Sequence, residues 1–101
     1  MFTRVKSEDP EVRQRVEKVM LYYLTSVANS VESVTVTIED VSDRLGVSLR
    51  RCSVDGVLVG GDRIAIVETQ SDLMLAVTRA MDRCLRTIRL RHGARRYPRS
   101  A

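Results

Sequence analysis

Apolar residues recur at helical spacing near both ends of this chain and at strand spacing between them. That switch of period, from about 3.6 to 2 and back, limits the possible folds more than any other feature. The first helical stretch opens at Asp9-Pro10-Glu11. Asp9 can cap orphan backbone N–H groups, Pro10 suits the first helical position, and Glu11 favours the positive end of the dipole. Val12, Val16, Val19, Met20, Tyr23, Leu24 and Val27 then fall in one stripe, with Arg13, Gln14, Arg15 and Lys18 outside it. The spacing predicts a helix over residues 9–28. Near the other end, Met74, Val77, Met81, Cys84, Leu85 and Ile88 form a second stripe, which predicts a helix over residues 71–92. Thr69-Gln70-Ser71-Asp72 fits a capping box with Ser71 as a competing N-cap, and Gly93 is placed to end the helix.

Between the helices the period is two. Val34, Val36 and Ile38 alternate with Thr35, Thr37 and Glu39 as in a half-buried strand. Residues 39–43 read as an acidic turn, and Leu45, Val47 and Leu49 alternate as a second strand pairing with the first. Asp55-Gly56 and Gly60-Gly61-Asp62 are turn signals, so either the second strand continues past a bulge to Val59 or residues 53–62 form a loop. Arg63 to Glu68 is a third strand, and residues 1–6 alternate weakly enough for a short edge strand. The order β-α-β-β-β-α predicts an α+β fold, an antiparallel sheet with two helices packed on one face. The other face, with Thr35, Thr37, Ser48 and Arg50, would meet solvent.

At 101 residues the chain makes one domain, expected over residues 1–93, with a basic disordered tail over 94–101. No apolar run approaches the ~20 residues of a membrane span, and no signal-peptide pattern opens the chain. Cys52 and Cys84 make no disulfide framework. They read as inert core thiols in a reducing cytoplasm. A single histidine, His92, and no His/Cys cluster leave no metal site. No nucleophile–base pair, phosphate loop or carboxylate dyad is present, so neither catalysis nor a cofactor or small-molecule substrate is expected.

Charge is uneven. The net charge is +4, yet residues 1–50 hold seven Lys/Arg against eight Asp/Glu, and residues 51–101 hold ten Arg against five acids. Arg79, Arg83 and Arg86 share one helix face at i, i+4, i+7 spacing, and Arg89 and Arg91 extend it. Arginine's planar fork matches phosphate. A-form RNA is read mainly by shape and backbone, so such a row needs no base-reading aromatics. One Phe and three Tyr are too few for a stacking platform. A solvated face with cations offsetting the helix dipole is the structural alternative. Asp72 fits a helix cap, and Asp82 can pair with Arg79 or Arg86.

Residues 71–91, Ser71-Asp72-Leu73 through Arg89-Leu90-Arg91, resemble the closing segment of the ribosome hibernation-promoting factors, or ribosome-associated translation inhibitors. Asp72, Leu73, Ala76, Ala80, Asp82, Arg86 and Arg89 coincide with that pattern, as do Val12-Arg13 and Val16-Glu17 in the first helix and Val34-Thr35-Val36 in the strand after it. Met74 stands where the family has tyrosine, and Val19, beside Lys18, where it has lysine. The resemblance implies a fold like the double-stranded-RNA-binding domain and binding to ribosomal RNA in the messenger and transfer RNA channel of the small subunit. Translation would thereby be silenced in starved, stationary-phase bacterial cells. The RNA-binding set expected on this basis is Arg79, Arg83, Arg86, Arg89, Arg91 and His92, with Arg13 and Lys18 from the first helix. The length matches the short form, a monomer or weak dimer. The alternative is a protein-interaction module of the same fold using its exposed sheet face.

Overall fold

The computed structural model of the chain describes residues 1–96, with side chains through Arg91. In chain order the elements are β1 (Phe2–Lys6), α1 (Pro10–Leu24), a 3-10 helix (Thr25–Ser30), β2 (Val31–Ser42), β3 (Ser48–Leu58), β4 (Arg63–Gln70) and α2 (Leu73–Arg96). They form an α+β fold with the four-stranded sheet ordered β1-β2-β3-β4. The sheet is mixed, not antiparallel as expected from the sequence. β1 pairs with β2 in parallel, while β2–β3 and β3–β4 are antiparallel. The cause is topological: α1 carries the chain back along the sheet, so the next strand starts in the direction of β1.

Both helices lie on one face. Val12, Val16, Met20 and Leu24 of α1 and Ala76, Val77, Ala80, Met81, Cys84 and Ile88 of α2 close over Val5, Val34, Val36, Cys52, Val54, Leu58, Ile64 and Ile66. Val19 and Ile38, also expected in the core, pack against it half-buried. Asp9 caps α1, its carboxylate accepting the Glu11 N–H at 2.9 Å. Asp72, rather than Ser71, caps α2. Its carboxylate accepts the Leu75 N–H at 2.9 Å and its carbonyl the Ala76 N–H at 3.1 Å.

The strands depart from expectation in three places. The acidic segment 39–42 is strand, not turn, because each acid finds an arginine across β3: Glu39 faces Arg51 and Asp40 faces Arg50. The turn is residues 43–47. There the Asp43 carboxylate accepts the N–H groups of Leu45 at 2.8 Å and Val47 at 2.9 Å. Gly46 takes the positive φ of 78° that the reversal needs. Leu45 and Val47 are therefore exposed turn residues. Of the two readings of residues 53–62, the strand that continues is the one found, running to Leu58, but without a turn or bulge at Asp55-Gly56, which sits mid-strand, paired with Thr35 and Val34 on one side and Ala65 and Ile64 on the other. Hydrogen bonding to two neighbours outweighs the local turn preference of that dipeptide.

These shifts invert the faces of β3. Cys52, Val54 and Leu58 point to the helices, so Arg50 shares the helix side and not the open face expected for it. It pairs there with Asp40 at 2.9 Å, beyond the end of α1. The second helix also runs through Gly93 to Arg96 instead of ending at the glycine. Ala94, Arg95 and Arg96 are strong helix formers, and they outweigh the roughly 1 kcal/mol penalty of one interior glycine. The expected tail at 94–101 thus starts as helix, and residues 97–101 lie outside the described residues.

Cys52 and Cys84 are buried free thiols. Burial, reinforced by the Glu68 carboxylate opposite it, pushes the Cys52 thiol up to about 12. Burial alone pushes Cys84 up to about 11. Both raised values favour the folded state below the unfolded thiol's ordinary value of 9, and that advantage is lost as pH rises toward 11–12. Urea unfolding at pH 8 and pH 10.5 should show a larger stability loss in the native sequence than in a Cys52→Ala/Cys84→Ala variant. At pH 8 neither thiol should react with a thiol reagent until urea unfolds the chain.

Candidate nucleic-acid interface

The parallel β1–β2 pair and the antiparallel partners of β3 make α1 and α2 run in the same direction across the sheet. The β2–β3 turn lies toward their N-terminal ends. The arginine-rich end of α2 lies at the other, beside the 3-10 helix, where Arg89 Nη2 meets Ser26 Oγ at 3.4 Å. The apolar stripe of α2 is consumed by the core, so its remaining face must point to solvent. Arg79, Arg83, Arg86, Arg89 and Arg91 are all exposed there, with Leu75 and Leu90 among them.

Their guanidinium groups are not equivalent. The Arg79 guanidinium makes no hydrogen bond or ion pair among the described residues. Arg86 Nη2 pairs with Asp82 at 2.8 Å along the helix, an exposed contact worth about 0.3–0.5 kcal/mol and easily given up. Arg83 turns toward β4, where its Nη1 donates to the Val67 carbonyl at 3.2 Å and to Glu68 Oε1 at 3.0 Å. Arg91 does the same at the start of that strand, its Nη1 donating to the Arg63 carbonyl at 2.6 Å. Arg83 still has Nη2 and Nε for another acceptor.

The first helix contributes less. Arg13 is half-buried, and its Nη1 donates to the Ser7 carbonyl at 3.1 Å, closing the β1–α1 connection. Lys18 is exposed on the outer side of α1, next to Arg15 in the same layer. The side chain of His92 lies outside the described residues. Two further features escape sequence reading because they depend on strand register: the Arg83–Glu68 link, and a cleft of about 440 Å³ lined by Ser7, Glu8, Asp9, Ile38, Asp40 and Arg50. No helix among the described residues is long and apolar enough to cross a membrane.

The helical layer thus presents arginines to solvent on a rigid scaffold, which suits multiple simultaneous contacts with a phosphate backbone. No protein-family model matches the chain, and no curated protein matches it in sequence. Solved structures do. The N-terminal domain of Protein Y from Thermus thermophilus superposes with a TM-score of 0.67 at 18% identity, over 89% of this chain and 96% of that one. A ribosomal subunit interface protein from Coxiella burnetii superposes with a TM-score of 0.69 at 12% identity, over 91% of this chain and 96% of that one. The chain has the fold of these two proteins, along nearly the whole of each.

Proposed function

We propose that this chain is a non-enzymatic, cytoplasmic translation inhibitor of the hibernation-promoting type. It binds ribosomal RNA of the small subunit through the outer face of α2 and blocks the messenger and transfer RNA channel under stress. The observation that carries this reading is a row of exposed arginines on the helical layer of a fold shared with a ribosomal subunit interface protein. Arg79 and Arg86 lead the contact, since neither guanidinium is tied to another element among the described residues. Arg83, Arg89, Arg91 and His92 extend it along α2. Lys18 adds a cation from α1, while Arg13 contributes chiefly by holding α1 to the β1–α1 connection.

Pelleting tests this. The purified protein, centrifuged through a sucrose cushion with small subunits at ~100 mM salt, should co-sediment with them and stop translation of a reporter messenger in a cell-free extract. A protein that stays in the supernatant and leaves translation unchanged would instead favour the interaction-module reading. That reading has its own observation, the exposed Phe2 and Val67 on the open sheet face.

A further inference from the structure

β4 ends the sheet, so one side of its backbone has no strand partner among the described residues. Its Arg63 and Val67 carbonyls point to that open side, and the two-residue period gives Ala65 and Thr69 the same direction. Such an edge is a template for another strand. β4 is a strong template: eight residues, Arg-Ile-Ala-Ile-Val-Glu-Thr-Gln, paired to β3 without a bulge and free of proline. Ala65 and Val67, both exposed, flank the edge on the open sheet face, with Val67 at 54%.

The two carbonyls fixed on this edge are the two that α2 arginines reach. Arg91 Nη1 takes the Arg63 carbonyl and Arg83 Nη1 takes that of Val67. Glu68 holds the Arg83 guanidinium in place from the helix side, with its own side chain only 18% exposed. The contacts are four residues apart on β4 and eight on α2, so the helix lies along the edge like a fence. We infer that Arg83 and Arg91 cover the β4 edge and so block it from pairing, β4 to β4 in antiparallel fashion, with a second copy of the chain. The self-pairing geometry supports that partner. An antiparallel pair of identical strands closes around a two-fold axis, and it brings the Ala65 and Val67 side chains of both copies together on one face. The basic helix then does two jobs: Arg79 and Arg86 lead the phosphate contact, and Arg83 and Arg91, through Nη1 alone, also keep the sheet from growing. This inference does not depend on the proposed function, because its readout contains no RNA.

The test is sedimentation equilibrium of the full chain in the absence of nucleic acid. The native sequence should be monomeric across the micromolar range. An Arg83→Ala/Arg91→Ala variant should dimerise at least tenfold more tightly, and amide exchange at Ala65 and Val67 should slow as its concentration rises. Adding Ala65→Pro, which removes an outward N–H without touching the β3 pairing, should return that variant to monomer. A double variant that stays folded by circular dichroism and remains as monomeric as the native chain would overturn the inference. So would a dimer that Ala65→Pro does not dissolve. If the double variant fails to fold, Glu68→Gln, which only loosens Arg83, should give the same change in smaller degree, and its absence would be equally contrary.

Discussion

Reversing the charge at Arg79 and Arg86 together should weaken binding to small ribosomal subunits by roughly 100-fold or more and abolish inhibition of translation, while the fold survives. Each arginine offers charge-assisted hydrogen bonds worth about 1.5–3 kcal/mol, so two lost contacts remove at least ~3 kcal/mol, and the introduced carboxylates repel phosphate besides. The structural cost is small. Arg79 touches no other charged group among the described residues. A glutamate at position 86 stands one turn from Asp82, a like-charge pair worth about 0.2–0.5 kcal/mol of destabilisation. Arg83 is deliberately left out. Its reversal would set a carboxylate against the largely buried Glu68, and loss of binding could then reflect damage to the α2–β4 contact. Circular dichroism and subunit pelleting on the same samples check both halves of the expectation.

The second large effect is on stability. Met81→Ala should lower the unfolding free energy by about 2–5 kcal/mol, read by urea denaturation. Met81 is fully buried at the centre of the α2 stripe, among the largest side chains with no exposure, where α2 covers the sheet. Truncation removes apolar contact and leaves a cavity that two helices and a sheet can fill only partly. A loss under ~1 kcal/mol would mean the helical layer is loosely packed. A marginal domain of this size has about 5–15 kcal/mol in total, so this one residue could decide whether it folds at 37 °C.

The elements whose determinants are local are legible in the sequence. The Asp9-Pro10-Glu11 start, both helical stripes and the alternation of Val34, Val36 and Ile38 each carry their own structural signal within a few residues. Features that a distant strand decides are not legible in the sequence. Asp55-Gly56 looks like a turn until β2 and β4 pair with it on either side. Leu45 and Val47 look like inward strand residues until the Asp43 carboxylate closes the turn over them. With the turn at residues 43–47, Cys52, Val54 and Leu58 face the helices and Arg50 shares their side of the sheet, since a one-residue slip moves every side chain to the opposite face. At the candidate site, the helical period was enough to gather Arg79, Arg83 and Arg86 on one exposed face. It could not show that Arg83 and Arg91 turn to β4 or that Arg13 turns to Ser7, because those partners lie in other elements.

The proposed function requires the α2 face to meet RNA phosphate, and the salt dependence of binding to isolated small subunits tests that most directly. Four phosphate contacts would give a slope of log affinity against log salt of about −3, from roughly −0.7 to −0.9 per neutralised phosphate. The Arg79/Arg86 charge reversal should bring the slope toward zero by about 2. Binding that persists with a slope near zero, unchanged by the reversal, would contradict the proposed function and identify the arginine row as a solvated helix face.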